Sequence, residues 1–321
     1  MTFLYKLLTA VPACLVLLAG MVPLGASEKP HAVIVVGTLH YSPELTMPAF
    51  AKELDRLGFS TTIVMGEGDP EKKTKDVLPG IDILAKADVV IFFMRFLKLP
   101  DAEWQPIEDY LKSGKPVIGL RTANHSFKYA KDHPRFAWND GFGRRALGTP
   151  YIVHQGGTTE IQAVPKYKSH PIMSNIMKTR WTSPGTLYLT RLEGGCLPLA
   201  TGTGTGKTRL VEKQFGTIQV NEHEADIVAW AWENEWGGRV FGTTLGHPGD
   251  FAEEAFTRML ANGICWAVDN RCQGLTRKSQ PGTFNELTRR RNEVFGSMCI
   301  ACFTGADWHQ HRRCRSSHKA G

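Results

Sequence analysis

The chain has 321 residues, of which 42% are hydrophobic and 21% are charged, so there is enough apolar material for a sizeable core. The formal net charge of +7 resides in residues 271–321, which hold ten Lys/Arg and three Asp/Glu, whereas residues 1–270 hold 28 of each. The body is therefore neutral in net charge, and the basic tail is either a solvated segment or one that binds nucleic acid or an anionic membrane. We expect no specific nucleic-acid partner.

The N-terminal residues have the pattern of a secretion signal. Lys6 provides a positive charge, residues 7–18 form a short apolar segment, and small residues around Ala26 offer a cleavage site. The apolar run is broken by two prolines and is shorter than the roughly 20 residues that a membrane span needs. We therefore predict a signal peptide at 1–27, a secreted or periplasmic protein, and no stable membrane span in the mature chain. An uncleaved anchor is the alternative.

Buried strands alternate with amphipathic helices in the first half of the body. The predicted strands are 32–36, 59–65, 88–93 and 116–120, and the predicted helices are 45–57 and 100–111. This strand–helix order predicts an α/β domain with a parallel sheet and helices on both of its faces.

The second half has a weaker pattern. Strands are predicted at 151–153, 161–164, 187–189, 197–201, 227–232 and 239–245, a short helix and loop at 136–147, and a last helix at 251–268. The segment 201–208 ends in Gly-Lys-Thr like a nucleotide-binding loop, but Thr201 stands where that motif needs glycine, and we interpret the segment as a flexible loop. Residues 28–270 therefore form one domain.

Residues 271–321 lack apolar periodicity and predict a basic, poorly ordered tail. Within this tail, Cys299 and Cys302 together with His309, His311 and Cys314 have a spacing like that of zinc ligands. The tail contains one Cys-x-x-Cys pair and little apolar sequence around it, so a surface tail without metal is the competing interpretation.

Candidate functional residues follow the strands, because ligands of an open parallel sheet bind beyond the carboxyl ends of its strands. Arg121 lies at the turn after the fourth strand, and His125, His154 and His247 follow strands as well. Imidazoles can transfer protons, and Arg121 either stabilises an anion or braces the turn by binding backbone carbonyls. The candidate substrate-binding residues are Asn139, Asp140, Asp250 and His40, and Asp250 is also a candidate helix cap.

Four segments together resemble the ThuA-like (trehalose-utilisation) family over about residues 29–268. They are 88–95 (DVVIFFMR), 119–127 (GLRTANHSF), 138–140 (WND) and 246–251 (GHPGDF). The resemblance implies a flavodoxin-like, doubly wound, mostly parallel sheet of the class I glutamine amidotransferase-like superfamily. It also implies a role in carbohydrate metabolism, with a small carbohydrate as the ligand.

The resemblance also bears on amidotransferase chemistry. True amidotransferases carry a nucleophilic cysteine at the elbow and a catalytic histidine in a His-Pro-Glu segment. Here Arg121 stands at the cysteine position, and Gly249 follows His247-Pro248 where the carboxylate belongs. The acyl-enzyme route needs a nucleophile that this elbow lacks, so no glutamine hydrolysis is expected there.

Three functions remain open. The first is a hydrolase or lyase that processes a sugar or keto-sugar with Arg121 and the three histidines. The second is a protein that binds a divalent metal such as zinc on those histidines, with Asp140 or Asp250. The third function is a non-catalytic carbohydrate-binding protein that stacks sugars on tryptophans. The candidate tryptophans include Trp104, Trp138, Trp181 and Trp236. The sequence does not determine the oligomeric state.

Overall fold

The computed structural model describes residues 29–69, 75–213 and 216–269. The predicted signal peptide, the basic tail and its cysteine–histidine motif lie outside these ranges. Across the three described ranges, no helix combines the length and the apolarity that crossing a membrane requires.

The strands, in chain order, are β1 His31–Gly37, β2 Ser60–Met65, β3 Val89–Met94, β4 Val117–Leu120, β5 Val153–His154, β6 Thr159–Ala163, β7 Arg180–Ser183, β8 Tyr188–Leu189, β9 Leu197–Gly204, β10 Arg209–Lys213, β11 Gly216–Val220, β12 Ala225–Glu233 and β13 Arg239–Thr243. The α-helices are α1 Pro43–Arg56, α2 Asp101–Lys112, α3 Trp138–Gly141 and α4 Glu254–Ala267. Short 3₁₀ helices lie at Ile81–Lys86, Arg121–His125, Pro165–Tyr167, Pro171–Met173 and Pro248–Ala252, and a π-helical turn lies at Phe142–Ala146.

A nine-stranded sheet forms the centre of the domain, in the order β2-β1-β3-β4-β13-β12-β9-β6-β7. The strands from β2 to β13 pair in parallel, and β12, β9, β6 and β7 extend the sheet with antiparallel pairs. Two small antiparallel pairs, β10–β11 and β5–β8, lie outside the main sheet. The predicted α/β class, with a large and mostly parallel central sheet, is confirmed.

Both faces of the parallel region are covered, as the near-continuous apolar strands predict. Along β1, Ala32, Ile34 and Val36 pack with α1 and α4 on one face, whereas Val33 and Val35 pack with α2 on the other. Two cores therefore sandwich the sheet, and the carboxyl ends of β1, β3, β4 and β13 are brought to one edge.

The α2 helix shows how local sequence fixes these boundaries. Pro100 precedes the helix in an extended conformation, and the acidic residues Asp101 and Glu103 lie in its first turn, where they complement the helix dipole. The helix ends at Lys112 with Ser113 as its C-cap residue, and Gly114 follows with a φ of 70°, a left-handed conformation that glycine adopts readily.

The interpretation of segment 201–208 as a flexible loop is wrong for its first four residues, which belong to β9. Gly202 and Gly204 are buried and alternate with threonines, the period of a strand. A Cβ at Gly202 would lie 2.6 Å from side-chain atoms of Thr159 and Val228, so neighbouring strands require the glycine there. Lys207 is followed by the strand β10, where a nucleotide-binding loop would lead into a helix.

Candidate functional site

The turn after β4 places Arg121 in the centre of the candidate site. Arg121 has a φ of 49° and is 2% exposed. Three other non-glycine residues with positive φ follow neighbouring strands: Tyr41 and Ser42 after β1, and Phe96 after β3. Residues with such strained backbones cluster at functional sites, where the surrounding structure holds them. Their shared position beyond the strand ends therefore indicates that the candidate site lies at this edge of the sheet.

The Arg121 guanidinium is bound by protein acceptors. Its Nη1 donates to the carbonyl oxygens of Thr244 at 2.7 Å and Thr186 at 3.0 Å. Its Nη2 donates to the hydroxyls of Tyr41 at 3.1 Å and Thr186 at 3.2 Å. These bonds use the four Nη protons, and Nε is buried without a partner. Of the two roles considered for Arg121, the contacts favour bracing of the elbow, and they add a third: positioning Tyr41.

Three tyrosines that the sequence patterns did not indicate as functional line the site. The hydroxyls of Tyr41 and Tyr188 lie 3.1 Å apart, and the ring of Tyr188 meets that of Tyr151 edge to face, with 5.1 Å between centroids. The Arg121 Cζ lies 4.5 Å and 4.2 Å from the ring centroids of Tyr41 and Tyr188. Tyr41 and Tyr151 adjoin predicted site segments and were therefore within reach of sequence reasoning, whereas nothing in the sequence distinguishes Tyr188.

The three tyrosines differ in acidity because their surroundings differ. Burial alone would raise the pKa of Tyr41, but the Arg121 and Arg95 charges, with hydrogen bonds from Tyr188 and Arg121, lower it overall. Burial raises the pKa of Tyr151 to about 12 and also raises the pKa of Tyr188. Tyr41 is thus the tyrosine of this cluster that ionises most readily.

His125 is buried in the same aromatic cluster. Its ring centroid lies 4.3 Å from that of Tyr151 and 5.2 Å from that of Phe96. Its Nδ1 is 2.8 Å from the side-chain oxygen of Asn124, so we assign the proton to Nδ1 and a free lone pair to Nε2. Burial, followed by the Arg95 and Arg121 charges, lowers the pKa of His125 well below its usual value, and the imidazole is neutral at pH 7.

His154 and His247 are also neutral. The Tyr151 hydroxyl lies 2.6 Å from Nδ1 of His154, and burial, aided by Arg209, lowers the pKa of His154 to about 4. The Nδ1 of His247 accepts a hydrogen bond from the Gly249 backbone at 3.2 Å, so its proton lies on Nε2. Burial lowers the pKa of His247 to about 4 as well, with a further contribution from Arg121.

These histidines share one cluster through the tyrosines. The His247 ring meets Tyr41 edge to face at 5.9 Å, the His40 ring lies 6.3 Å from that of Tyr41, and the His154 ring lies 6.0 Å from that of Tyr188. The structure therefore brings Arg121, His125, His154, His247 and His40 to one edge of the sheet. Their chemical roles stay predictions.

The geometry does not fit a metal site on these histidines. In the part of the chain that the structure describes, no group of three His, Cys, Asp or Glu side chains could hold a metal ion. The rings of His125 and His154 contact tyrosines, and Nδ1 of His247 is engaged by a backbone N–H. These contacts disfavour the hypothesis of zinc on His125, His154 and His247 with Asp140 or Asp250.

Contrary to the prediction, Asp250 does not cap the last helix but lies in the first turn of the 3₁₀ helix Pro248–Ala252 and forms a capping box with its N-cap residue His247. It is 1% exposed, and its Oδ2 accepts hydrogen bonds from the backbone N–H groups of Gly246 at 2.8 Å and His247 at 2.9 Å. Burial raises the pKa of Asp250. The carboxyl group of Asp250 therefore fixes the turn that positions His247.

Asn139 and Asp140 lie apart from the histidines. The Asn139 side chain accepts from the Tyr129 N–H at 2.7 Å and donates to the Tyr129 carbonyl at 2.9 Å, which braces the loop. Asp140 is exposed, and neighbouring Trp138 stacks on Trp236. No contact described for Asn139 or Asp140 reaches the cluster, so their substrate-binding role stays a prediction without geometric support.

Positive charges that were not predicted from the sequence surround the cluster. Arg95 directly follows β3, with its Cζ 4.1 Å from the centroid of the Phe96 ring, and Lys128 Nζ lies 5.0 Å from the same centroid. On the other side, Lys213 Nζ lies 5.1 Å from the Tyr151 centroid, and Arg209 donates to the His154 carbonyl. Arg95 belongs to the 88–95 segment that resembles the family, and this membership was the one sequence feature that could have indicated its role.

Two other features lie away from this cluster. A cavity of about 270 Å³ opens between α2 and the 3₁₀ helix Ile81–Lys86. It is lined by Asp82, Leu84, Pro106, Asp109, Tyr110 and Lys115, none of which is a predicted site residue. Trp104 and Trp181 are buried and pack in the two cores, so they are not platforms for a sugar.

Comparison with known proteins agrees with the fold and the motifs. The sequence profile of the ThuA family, described as trehalose utilisation, matches residues 32–267. A ThuA-like protein from Parabacteroides merdae ATCC 43184 superposes with a TM-score of 0.51 at 15% identity, over 76% of this chain and 92% of that one. One from Bacteroides uniformis ATCC 8492 gives 0.51 at 16% identity, over 78% and 96%. No curated protein matches the sequence. The profile match covers well over half of the chain, and the chain belongs to the ThuA family.

Proposed function

We propose that the histidine–tyrosine cluster is the active site of an enzyme that processes a sugar or keto-sugar, as a hydrolase or a lyase. One observation carries the proposal: separate segments of chain deliver neutral imidazoles and phenols to one edge of the parallel sheet. The family's description, trehalose utilisation, supports the substrate class. Export to the periplasm or medium is part of the proposal and rests on the N-terminal sequence pattern.

The cluster offers both partners of a proton transfer. With the hydrogen bonds seen, Nε2 of His125 has a free lone pair and Nε2 of His247 carries a proton. A base and a donor of this kind suit proton abstraction beside a carbonyl group, because the donor stabilises the developing oxyanion. Tyr41, whose pKa is lowered, is a second group able to exchange a proton in this place.

The proposal excludes glutamine hydrolysis by this site. Arg121 occupies the elbow, and its guanidinium is engaged by backbone carbonyls and hydroxyls. Cys196, the free cysteine within the described ranges, bonds to the Gly148 carbonyl, and burial raises its pKa to about 12. A thiol held protonated at pH 7 is a poor nucleophile.

A variant of His247 with an internal control tests the proposal. The mature protein is incubated with disaccharides and their 3-keto forms, and the products are followed by chromatography. His247→Asn removes the imidazole and retains a side-chain oxygen that can cap Gly249, so the fold is preserved. We expect turnover of a keto-sugar by the wild type and a loss of at least ~100-fold in kcat/KM in H247N.

His223→Asn is the matched control. His223 is an exposed residue with a φ of 58°, a conformation that asparagine tolerates, and it lies away from the cluster. It should keep full activity. Sugar binding measured by calorimetry without turnover in the wild type would instead support the non-catalytic carbohydrate-binding alternative. Turnover that H247N leaves unchanged would remove the assigned site.

A further inference from the structure

Arg95 is a half-buried cation that has no hydrogen-bonding or ionic partner among the residues that the structure describes. Its side chain makes no hydrogen bond or ion pair with any residue in the three described ranges, and its guanidinium lies over the Phe96 ring. Burial lowers the pKa of Arg95, and the groups that oppose this shift are Tyr188, Tyr41 and Tyr151. A half-buried guanidinium that lacks a carboxylate has donors available to a ligand.

The surroundings of Arg95 are neutral or positive. The imidazoles of His125 and His154 are held neutral, in part by the Arg95 charge. Arg209 and Lys213 lie beside His154 and Tyr151 and form no ion pair with any described carboxylate, and the Nε of Arg209 is buried without a partner. Positive charge that is partly removed from water attracts anions more strongly than the same charge in open solvent.

We propose that the ligand of this cluster carries an anionic group, a carboxylate or a phosphate, and that Arg95 binds it. The inference rests on the proposed function for the sugar part of the ligand and goes beyond it by assigning a charge to that ligand. A planar guanidinium binds either anion through two parallel hydrogen bonds, whereas a neutral sugar offers no such partner.

Backbone contacts fix Arg95 relative to the histidines. The Phe96 N–H donates to the His125 carbonyl at 3.1 Å, and the Leu97 N–H donates to the Ser126 carbonyl at 2.7 Å. The turn after β3 is thereby joined to the turn after β4. An anion on Arg95 lies beside His125, so the uncharged part of the ligand reaches the imidazoles while its charge stays on the arginine.

Calorimetric titration at constant ionic strength tests this assignment without any need for turnover. The probes are glucuronate, glucose 6-phosphate, neutral glucose and inorganic phosphate. We expect at least one sugar anion to bind about 10- to 100-fold more tightly than glucose, as charge-assisted hydrogen bonds predict. Which sugar anion binds distinguishes a carboxylate ligand from a phosphate ligand.

Two variants complete the experiment. Arg95→Gln should abolish the preference for the anion, and Arg144→Gln, at an exposed arginine paired with Glu193, should retain it. Circular dichroism and thermal unfolding verify that both variants fold. Failure of all three anions to bind more tightly than glucose, or equal anion binding by wild type and R95Q, overturns the assignment. Absence of turnover with every sugar would overturn the proposed function alone.

Discussion

The guanidinium groups of two arginine–aromatic clusters in this protein differ in burial and in their partners. Arg145 lies near the rings of Trp138 and Trp236, with its Cζ 4.6 Å and 5.2 Å from their centroids, and its Nε donates to both carboxylate oxygens of Glu235 at 2.9 Å. Arg121 lies against two tyrosine rings, is far more buried, and has carbonyls and hydroxyls as its partners.

The difference is one of charge compensation. The Arg145 pair is neutral as a whole and half-exposed, so it is complete without a ligand. The charge of Arg121 is not cancelled by a bonded carboxylate. It lowers the pKa of Tyr41 against the effect of burial, and it adds to the burial that is the main cause of the lowered pKa of His125, His154 and His247. Burial opposes this charge, but Tyr188, Tyr41 and Asp250 favour it and raise the pKa of Arg121 overall, and groups perturbed in this way cluster at sites that bind or react.

The largest expected difference between the two clusters is in stability. Arg121→Gln removes hydrogen bonds to the buried carbonyl of Thr244 and the part-buried carbonyl of Thr186, and we expect a loss of about 3 kcal/mol or more in the free energy of unfolding. Arg145→Gln breaks an exposed ion pair, and we expect a loss of about 1 kcal/mol or less. Urea denaturation of both variants measures the contrast. Equal losses would show that Arg121 is not the brace that its contacts indicate.

A second, smaller contrast comes from glycines next to each cluster. Gly246 has a φ of 129°, and a Cβ there would lie 3.3 Å from the Cβ of Arg121. Gly237 has a φ of 82° with open space around it, beside Trp236. We expect Gly246→Ala to lose about 2 to 3 kcal/mol and Gly237→Ala about 1 kcal/mol, because the first adds crowding to backbone strain. Thermal unfolding distinguishes them, and a larger loss in G237A would contradict the close approach to Arg121.

The fold was accessible from the sequence where physical patterns are local. The buried apolar runs of β1, β3 and β4 and the amphipathic period of α1 and α2 predicted the parallel half within one or two residues. The antiparallel half was harder. The strands β7, β10 and β11 were missed because they are short and partly exposed, so their side chains carry little hydrophobic signal.

Only part of the site could be predicted from the sequence, because several of its contacts come from segments far apart in the chain. Arg121, His125 and His247 follow strands, and topology alone brings them to one edge. The hydrogen-bond partners of Arg121 at Thr186 and Thr244, and the ring of Tyr188, come from loops whose path the sequence does not encode locally. The motif suggested that Asn139 and Asp140 bind substrate. In the structure Asn139 bonds to Tyr129 and Asp140 is exposed, and neither has a described contact with the imidazoles.

The pH dependence of stability should also separate the clusters. In the unfolded chain the imidazole of His247 has a pKa near 6.5, whereas in the folded protein its pKa is about 4. Between these two values the unfolded side chain binds a proton and the folded one does not. His247 therefore contributes stability above pH 6.5, and this contribution is lost as the pH falls from about 6.5 toward 4. We expect a shallower decline of unfolding free energy between pH 7 and 4.5 in H247N than in the wild type. Arg145→Gln should leave the slope unchanged, and an unchanged slope in H247N would contradict the buried neutral imidazole.

The smallest effect is spectroscopic and concerns the phenol that Arg121 touches. Ultraviolet titration follows tyrosinate formation, and Tyr41 is one of seven tyrosines in the chain, so its ionisation gives about a seventh of the total change. We expect a component that ionises below pH 10 and that Tyr41→Phe removes, because Arg121 and Tyr188 hydrogen-bond the phenolate. Tyr129→Phe is the control, since burial raises the pKa of Tyr129 to about 12. If the early component survives in Y41F, the Arg121 charge is compensated by a group other than this phenol, and the distinction from the Arg145 cluster weakens.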